Sequence, residues 1–82
     1  MSALLQAMIA VFVGVDGNRV ELYADEGLCV EGAKGALYVY ADTSKPKVPG
    51  CWSEGNGAVG LAWFSGEFGR LPTAAFKKVE PL

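Results

Sequence analysis

Short runs of alternating apolar and polar residues, cut by glycine and proline at intervals of about 8 to 12 residues, are what most restricts the fold of this chain. Arg19 to Asp25 alternates strictly, with Val20, Leu22 and Ala24 on one face and Glu21, Tyr23 and Asp25 on the other, the period of a half-buried strand. Ala7 to Val15 is rich in Val, Ile and Phe, and Val15-Asp16-Gly17-Asn18 supplies the Asp-Gly turn that closes a hairpin between the two. Ala36 to Asp42 alternates again, with Leu37 and Val39 on one face and Tyr38 and Tyr40 on the other, which we read as the polar one. Val48 to Ser53 predicts a short strand in which Pro49 marks an edge or a bulge, because proline cannot donate to a ladder.

Ala58 to Ser65 predicts the next strand, with Val59, Leu61 and Trp63 toward the core, and Gly66-Glu67 turns it into Phe68 to Leu71. Pro72 to Phe76 suits one helical turn, and Lys77 to Val79 a closing strand. Gly27 to Gly35 shows no period and reads as a loop, and Thr43 to Lys47 reads as a turn around Pro46. Five or six strands of this kind specify an all-β fold. With 82 residues there is room for one domain, 1–82, which buries roughly 60% of its unfolded surface. A two-layer sandwich needs more strands, so the expectation is a small SH3-like barrel built from hairpins, with at most one short helical turn. Closure also protects strand edges.

Residues 55–60 read GNGAVG, a literal match to the dinucleotide fingerprint G-x-G-x-x-G. That fingerprint needs a helix after the glycine turn, whose N-terminal N–H groups hold the pyrophosphate. Here Leu61 to Phe64 continues as a strand, so the match marks a hairpin. In that reading Gly55 and Gly57 supply positive backbone φ, and Gly60 leaves room for Trp52 or another bulky neighbour.

The chain contains no histidine, which removes the commonest general base and the commonest metal ligand. Two cysteines fall short of a structural zinc site, and the adjacent Asp25 and Glu26 point to opposite faces of an extended segment. No cooperating acid and base stand out, so no catalytic residue, metal or cofactor is expected. Cys29 and Cys51 are 22 positions apart, too far for a redox C-x-x-C motif. Two buried thiols, a reactive thiol, and a disulfide tying the Gly27 to Gly35 loop to the Val48 to Ser53 strand all fit that spacing.

Residues 16–31 hold five acids against Arg19, a local charge of −4, within a chain of net charge −2. An acidic face steers a basic partner toward it. Tyr23, Tyr38 and Tyr40, on the polar register of their strands, are suited to anchoring a protein, and the candidate protein-binding residues are Glu21, Tyr23, Asp25, Tyr38 and Tyr40. The acidic hairpin argues against nucleic acid, which calls for a basic groove; the alternative of nucleic-acid binding would place Lys45, Lys47, Arg70, Lys77 and Lys78 on phosphates. A third alternative is a self-associating structural protein, a homo-oligomer in which the apolar Met1 to Val15 segment pairs between chains. That segment lacks a Lys or Arg before its apolar run and an Ala-x-Ala-like site, and it is shorter than the roughly 20 residues of a membrane span. Cytoplasmic residence without membrane contact is therefore expected.

From Asp25 onward the chain carries Asp25-Glu26-Gly27-Leu28-Cys29, Pro49-Gly50-Cys51-Trp52, Trp63 through Gly66, Leu71-Pro72 and Phe76-Lys77. In this pattern it resembles a family of small uncharacterised proteins of proteobacteria and their phages. The resemblance implies that Cys29 and Cys51 form a disulfide pair, as in exported members. It also implies a phage-related accessory protein that binds and modulates a host protein, with no enzymatic activity to carry over.

Overall fold

The computed structural model describes residues 8–25, 29 and 32–79. They form one antiparallel sheet of seven strands: β1 (Met8–Val13), β2 (Arg19–Tyr23), β3 (Lys34–Val39), β4 (Val48–Gly55), β5 (Ala58–Trp63), β6 (Phe68–Pro72) and β7 (Lys77–Lys78). A 3₁₀ turn at Thr73–Ala75 links the last two strands. The all-β expectation and the single helical turn agree with this architecture. The strand number is seven, where five or six were expected: the closing strand at Lys77 to Val79 forms as β7 and joins the sheet by pairing with β1 over two residues.

The strands run β6-β5-β4-β3-β2-β1-β7 across the sheet, so the two that follow each other at the end of the chain occupy opposite edges. Edges of a flat seven-stranded sheet would stand about 29 Å apart at roughly 4.8 Å per strand. Residues 73–76 bridge them, and a connection of that length reaches no further than about 18 Å at roughly 3.5 Å per residue. The sheet must therefore curl, and it does so into a half-barrel.

Cross-strand register decides which face the half-barrel encloses. Val20 stands opposite both Phe12 and Tyr38, and Leu22 opposite Ala10 and Ala36. Val20, Leu22, Ala36, Val59 and Leu61 form the buried cluster, with Phe12, Tyr38, Trp52, Trp63, Leu71 and Phe76 among the side chains packed against it. β1 is half-buried rather than buried, and Val13 at its end is 60% exposed.

Three sequence expectations are corrected here. Pro49 does not lie at an edge or a bulge: β4 runs between β3 and β5, and the irregularity falls between Met8 and Ala10 in β1. The carbonyl of Pro49 accepts from Phe64 N at 2.9 Å. Because N–H and C=O of one residue point to the same side of a strand, the missing donor faces the β5–β6 turn and costs β3 no bond. In the GNGAVG hairpin the positive φ belongs to Asn56 (55°) and Gly57 (78°), not to Gly55, a type I′ pair whose twist suits antiparallel strands. Finally, the glycine that makes room for a tryptophan is Gly50, seating Trp63. A Cβ on Gly50 would collide with the Trp63 ring and stand 2.7 Å from Ala62 O, whereas one on Gly60 meets only Ser53 O at 3.8 Å.

Cys29 and Cys51 form a disulfide, with Cα atoms 5.8 Å apart. It ties the segment before β3 to the middle of β4, and of the three readings open at the level of spacing it selects the last. The rest of the Gly27 to Gly35 loop and the start of the Met1 to Val15 segment fall largely outside the described residues.

Candidate functional site

Four of the five candidate contact residues form two pairs on opposite faces of the sheet, and the fifth, Asp25, lies beyond the end of β2. Glu21 and Tyr23 lie on the outer face, next to Val11 and Leu37 in register. Glu21 is 5% exposed, which corrects the expectation of an acidic contact face there. Its carboxylate accepts from Arg19 Nε at 2.8 Å and from the Tyr23 hydroxyl at 2.7 Å. Burying a carboxylate needs such partners, and both sit two positions away on the same face. Burial pushes the Tyr23 phenol up to about 12, and the hydrogen bond to Glu21 and its negative charge add to the effect. The Tyr23 carbonyl accepts from Trp52 Nε1 at 3.0 Å. Asp25 is exposed and its carbonyl accepts from Gly35 N at 2.8 Å.

Tyr38 and Tyr40 form the second group, and Tyr38 corrects its expected orientation. Its register against Val20 turns it into the concave face. The period of residues 36–42 holds, but Ala36 and Tyr38 face the concave cluster while Val39, on the opposite face, is buried as well, because both faces carry large side chains.

There Tyr38 meets Tyr40 edge to face at 5.0 Å between ring centroids and Trp63 at 5.7 Å, arrangements that suit the ring quadrupoles. Tyr38, Tyr40, Val48, Trp63, Ser65 and Glu67 line a cleft of about 340 Å³ at one end of the half-barrel. A second cleft of about 340 Å³ lies on the other side of Tyr38, between Phe12, Val20 and the Gly14–Asn18 turn.

Turn residues hold this end in place. Asn18 Nδ2 donates to Tyr38 Oη at 2.9 Å, and Asn18 Oδ1 accepts from Ala41 N at 2.9 Å, so one side chain joins the β1–β2 turn to the β3–β4 turn. Asp42 Oδ1 accepts from Ser44 N at 3.0 Å and from its hydroxyl at 2.7 Å, and these bonds hold the Asp42 carboxyl below its ordinary value. Lys45 Nζ lies 5.2 Å from the Tyr40 ring centroid, within reach of a cation–π contact.

Val48, Trp63, Ser65 and Glu67 line the cleft without having stood out in the sequence as contact residues, and neither did Asn18, which anchors Tyr38 beside it. Trp63 reads as a core residue from alternation and Asn18 as a turn residue; each is that and also part of the site. The five basic residues considered for phosphate contact lie in the β3–β4 turn, on β6 and on β7, and β6 and β7 are opposite edges. Among the described residues no three His, Cys, Asp or Glu side chains group as metal ligands, and no helix is long and apolar enough to cross a membrane. Comparisons with protein-family models, curated proteins and solved structures returned no match.

Proposed function

We propose that this chain is a non-enzymatic small β-barrel of SH3-like type that acts by binding another protein through the cleft of Tyr38, Tyr40 and Trp63. The observation that carries the proposal is the three-ring cluster beside an open cleft with Glu67 on its wall. Tyrosine and tryptophan present large, stiff, amphipathic surfaces and lose little entropy on contact, which is why they dominate interface hot spots. The SH3-like reading draws support from the 3₁₀ turn that carries the chain from β6 to a short strand against β1.

The phage-like resemblance suggests a host protein as the partner, which the accessory chain would modulate by occupying one of its surfaces. The disulfide favours an oxidising compartment over the cytoplasm expected from the N-terminal segment, because cytosolic thiols are kept reduced.

The test is affinity capture from a host lysate, followed by calorimetric titration of the captured protein. Tyr40→Ala and Glu67→Lys are each expected to weaken binding about tenfold or more, while Tyr23→Phe, on the opposite face, leaves it unchanged. Equal affinity in all three variants would remove the cleft as the contact site.

A further inference from the structure

We propose that the chain pairs with a second copy of itself along the outer edge of β6, in one antiparallel register centred on Gly69. Among the described residues no strand covers that side of β6. An uncovered edge presents unpaired N–H and C=O groups to any chain that can match them.

The groups that face outward follow from the hairpin. Trp63 N donates to Glu67 O at 2.8 Å, and antiparallel bonding alternates along a strand. Gly69 and Leu71, like Glu67, therefore turn their N–H and C=O toward β5, opposite Leu61 and Val59. Phe68 and Arg70 turn theirs outward. Pro72 contributes a carbonyl but no N–H, which ends the usable edge.

Apart from centring on Leu71, which sets Arg70 against Pro72 and leaves only two bonds because proline cannot donate, two copies related by a two-fold axis can pair outward residues in three ways. Centring on Arg70 sets like charges opposite each other and places Phe68 against Pro72, which cannot donate. Centring on Phe68 leaves a single bonded pair. Centring on Gly69 places Phe68 opposite Arg70 of the second copy, twice, and completes four main-chain hydrogen bonds.

This third register is also complementary in its side chains. Phe68 and Arg70 project to the outer face, beside Ala62 and Gly60. Phe68 is 83% exposed, Arg70 is exposed, and among the described residues Arg70 has no carboxylate within ion-pair distance. Opposed across the new ladder, each guanidinium lies against a phenyl ring, a cation–π arrangement. The incoming strand also covers part of an apolar cleft of about 610 Å³ lined by Cys51, Ala62, Phe64 and Phe68. The edge residues of β6 do not line the Tyr38–Tyr40 cleft, so self-pairing is independent of the binding function proposed above.

Sedimentation over a wide concentration range tests the proposal, with the apparent mass expected to climb from 8.6 kDa toward twice that value. Arg70→Pro removes an outward N–H without touching the β5 ladder and is expected to weaken pairing at least tenfold. Phe68→Lys is expected to do the same through like charge, and it decides the matter should Arg70→Pro not fold. The register itself is read by Gly69→Cys. Gly69 would face its copy in a non-bonded pair, with Cα atoms about 4.5 Å apart, inside the roughly 4.4–6.8 Å range of disulfides. A Cβ there meets Leu61 Cδ1 at 3.8 Å and Trp63 Nε1 at 4.0 Å, so the site accepts cysteine. Mild oxidation should yield a covalent dimer. A monomer at millimolar concentration, a dimer indifferent to Arg70→Pro and Phe68→Lys, or a Gly69→Cys chain that does not cross-link would each overturn the inference.

Discussion

Glu21 shows how a single residue can keep its alternation and lose its expected role. Its parity on β2 is that of an outward side chain, and it does point outward, yet Arg19 and Tyr23 lie over it and Val11 and Leu37 flank it. A carboxylate so enclosed has its hydrogen bonds met within the domain and offers little to a partner. The Tyr23 phenol supplies a pH test. Its folded value of about 12 exceeds the ordinary 10.0, so the neutral form is favoured in the folded state. That contribution is fully present below about pH 10 and is lost as pH climbs toward 12, since the unfolded chain gives up its proton first. Urea melts from pH 9 to 12 should therefore show the native chain losing stability more steeply than Tyr23→Phe. Parallel pH profiles would mean that burial and the bond to Glu21 together do not hold the proton.

At the level of the element, periodicity located the strands and pairing chose their faces. The alternations of β2 and β5 were legible because one parity is plainly apolar: Val20 and Leu22, then Val59 and Leu61. In β3 both parities are large, and Tyr38 turned inward because Val20 is its partner. A row of Ala36, Gly50 and Trp63 then crosses three strands on the concave face, with the small residues leaving room for the indole. Gly50→Ala would overfill that row. A loss of about 1–3 kcal/mol is expected from overpacking of this kind, read as a lower urea midpoint with an unchanged slope. A variant as stable as the parent would show that Trp63 moves aside without cost. The Asn56-Gly57 turn was legible as a hairpin, but which residue takes positive φ depends on where β4 ends, and β4 extends through Gly55.

For the molecule as a whole, the curl of the sheet and the cross-link are the features that span the chain. The two-residue pairing of β7 on β1 and the short link from β6 hold the sheet in its curl. The disulfide adds a constraint on the unfolded state, worth about 3 kcal/mol for a loop of this size. A chain of 82 residues has about 4–12 kcal/mol in total at typical values per residue, so the bond is a substantial share. Replacing both Cys29 and Cys51 with serine should lower unfolding free energy by about 2–4 kcal/mol in denaturant titrations. No change would indicate that the segment before β3 is held by other contacts.

What the amino-acid order determined by itself is local. It set the all-β class, the hairpin turns, the 3₁₀ turn and the exclusion of a phosphate cradle at GNGAVG, because each depends on neighbours a few positions apart. The tertiary structure decided the burial of Glu21, the inward turn of Tyr38, the seat that Gly50 makes for Trp63, and the pairing of Cys29 with Cys51 over the alternatives that spacing allowed. Those outcomes depend on which strand lies beside which and in what register, and a shift of one residue would invert every face. The cleft belongs to this second group. Its tyrosines come from the end of β3 and the residue just beyond it, its tryptophan from β5 and its anchoring asparagine from the β1–β2 turn, and only the curling of the sheet brings them to one place.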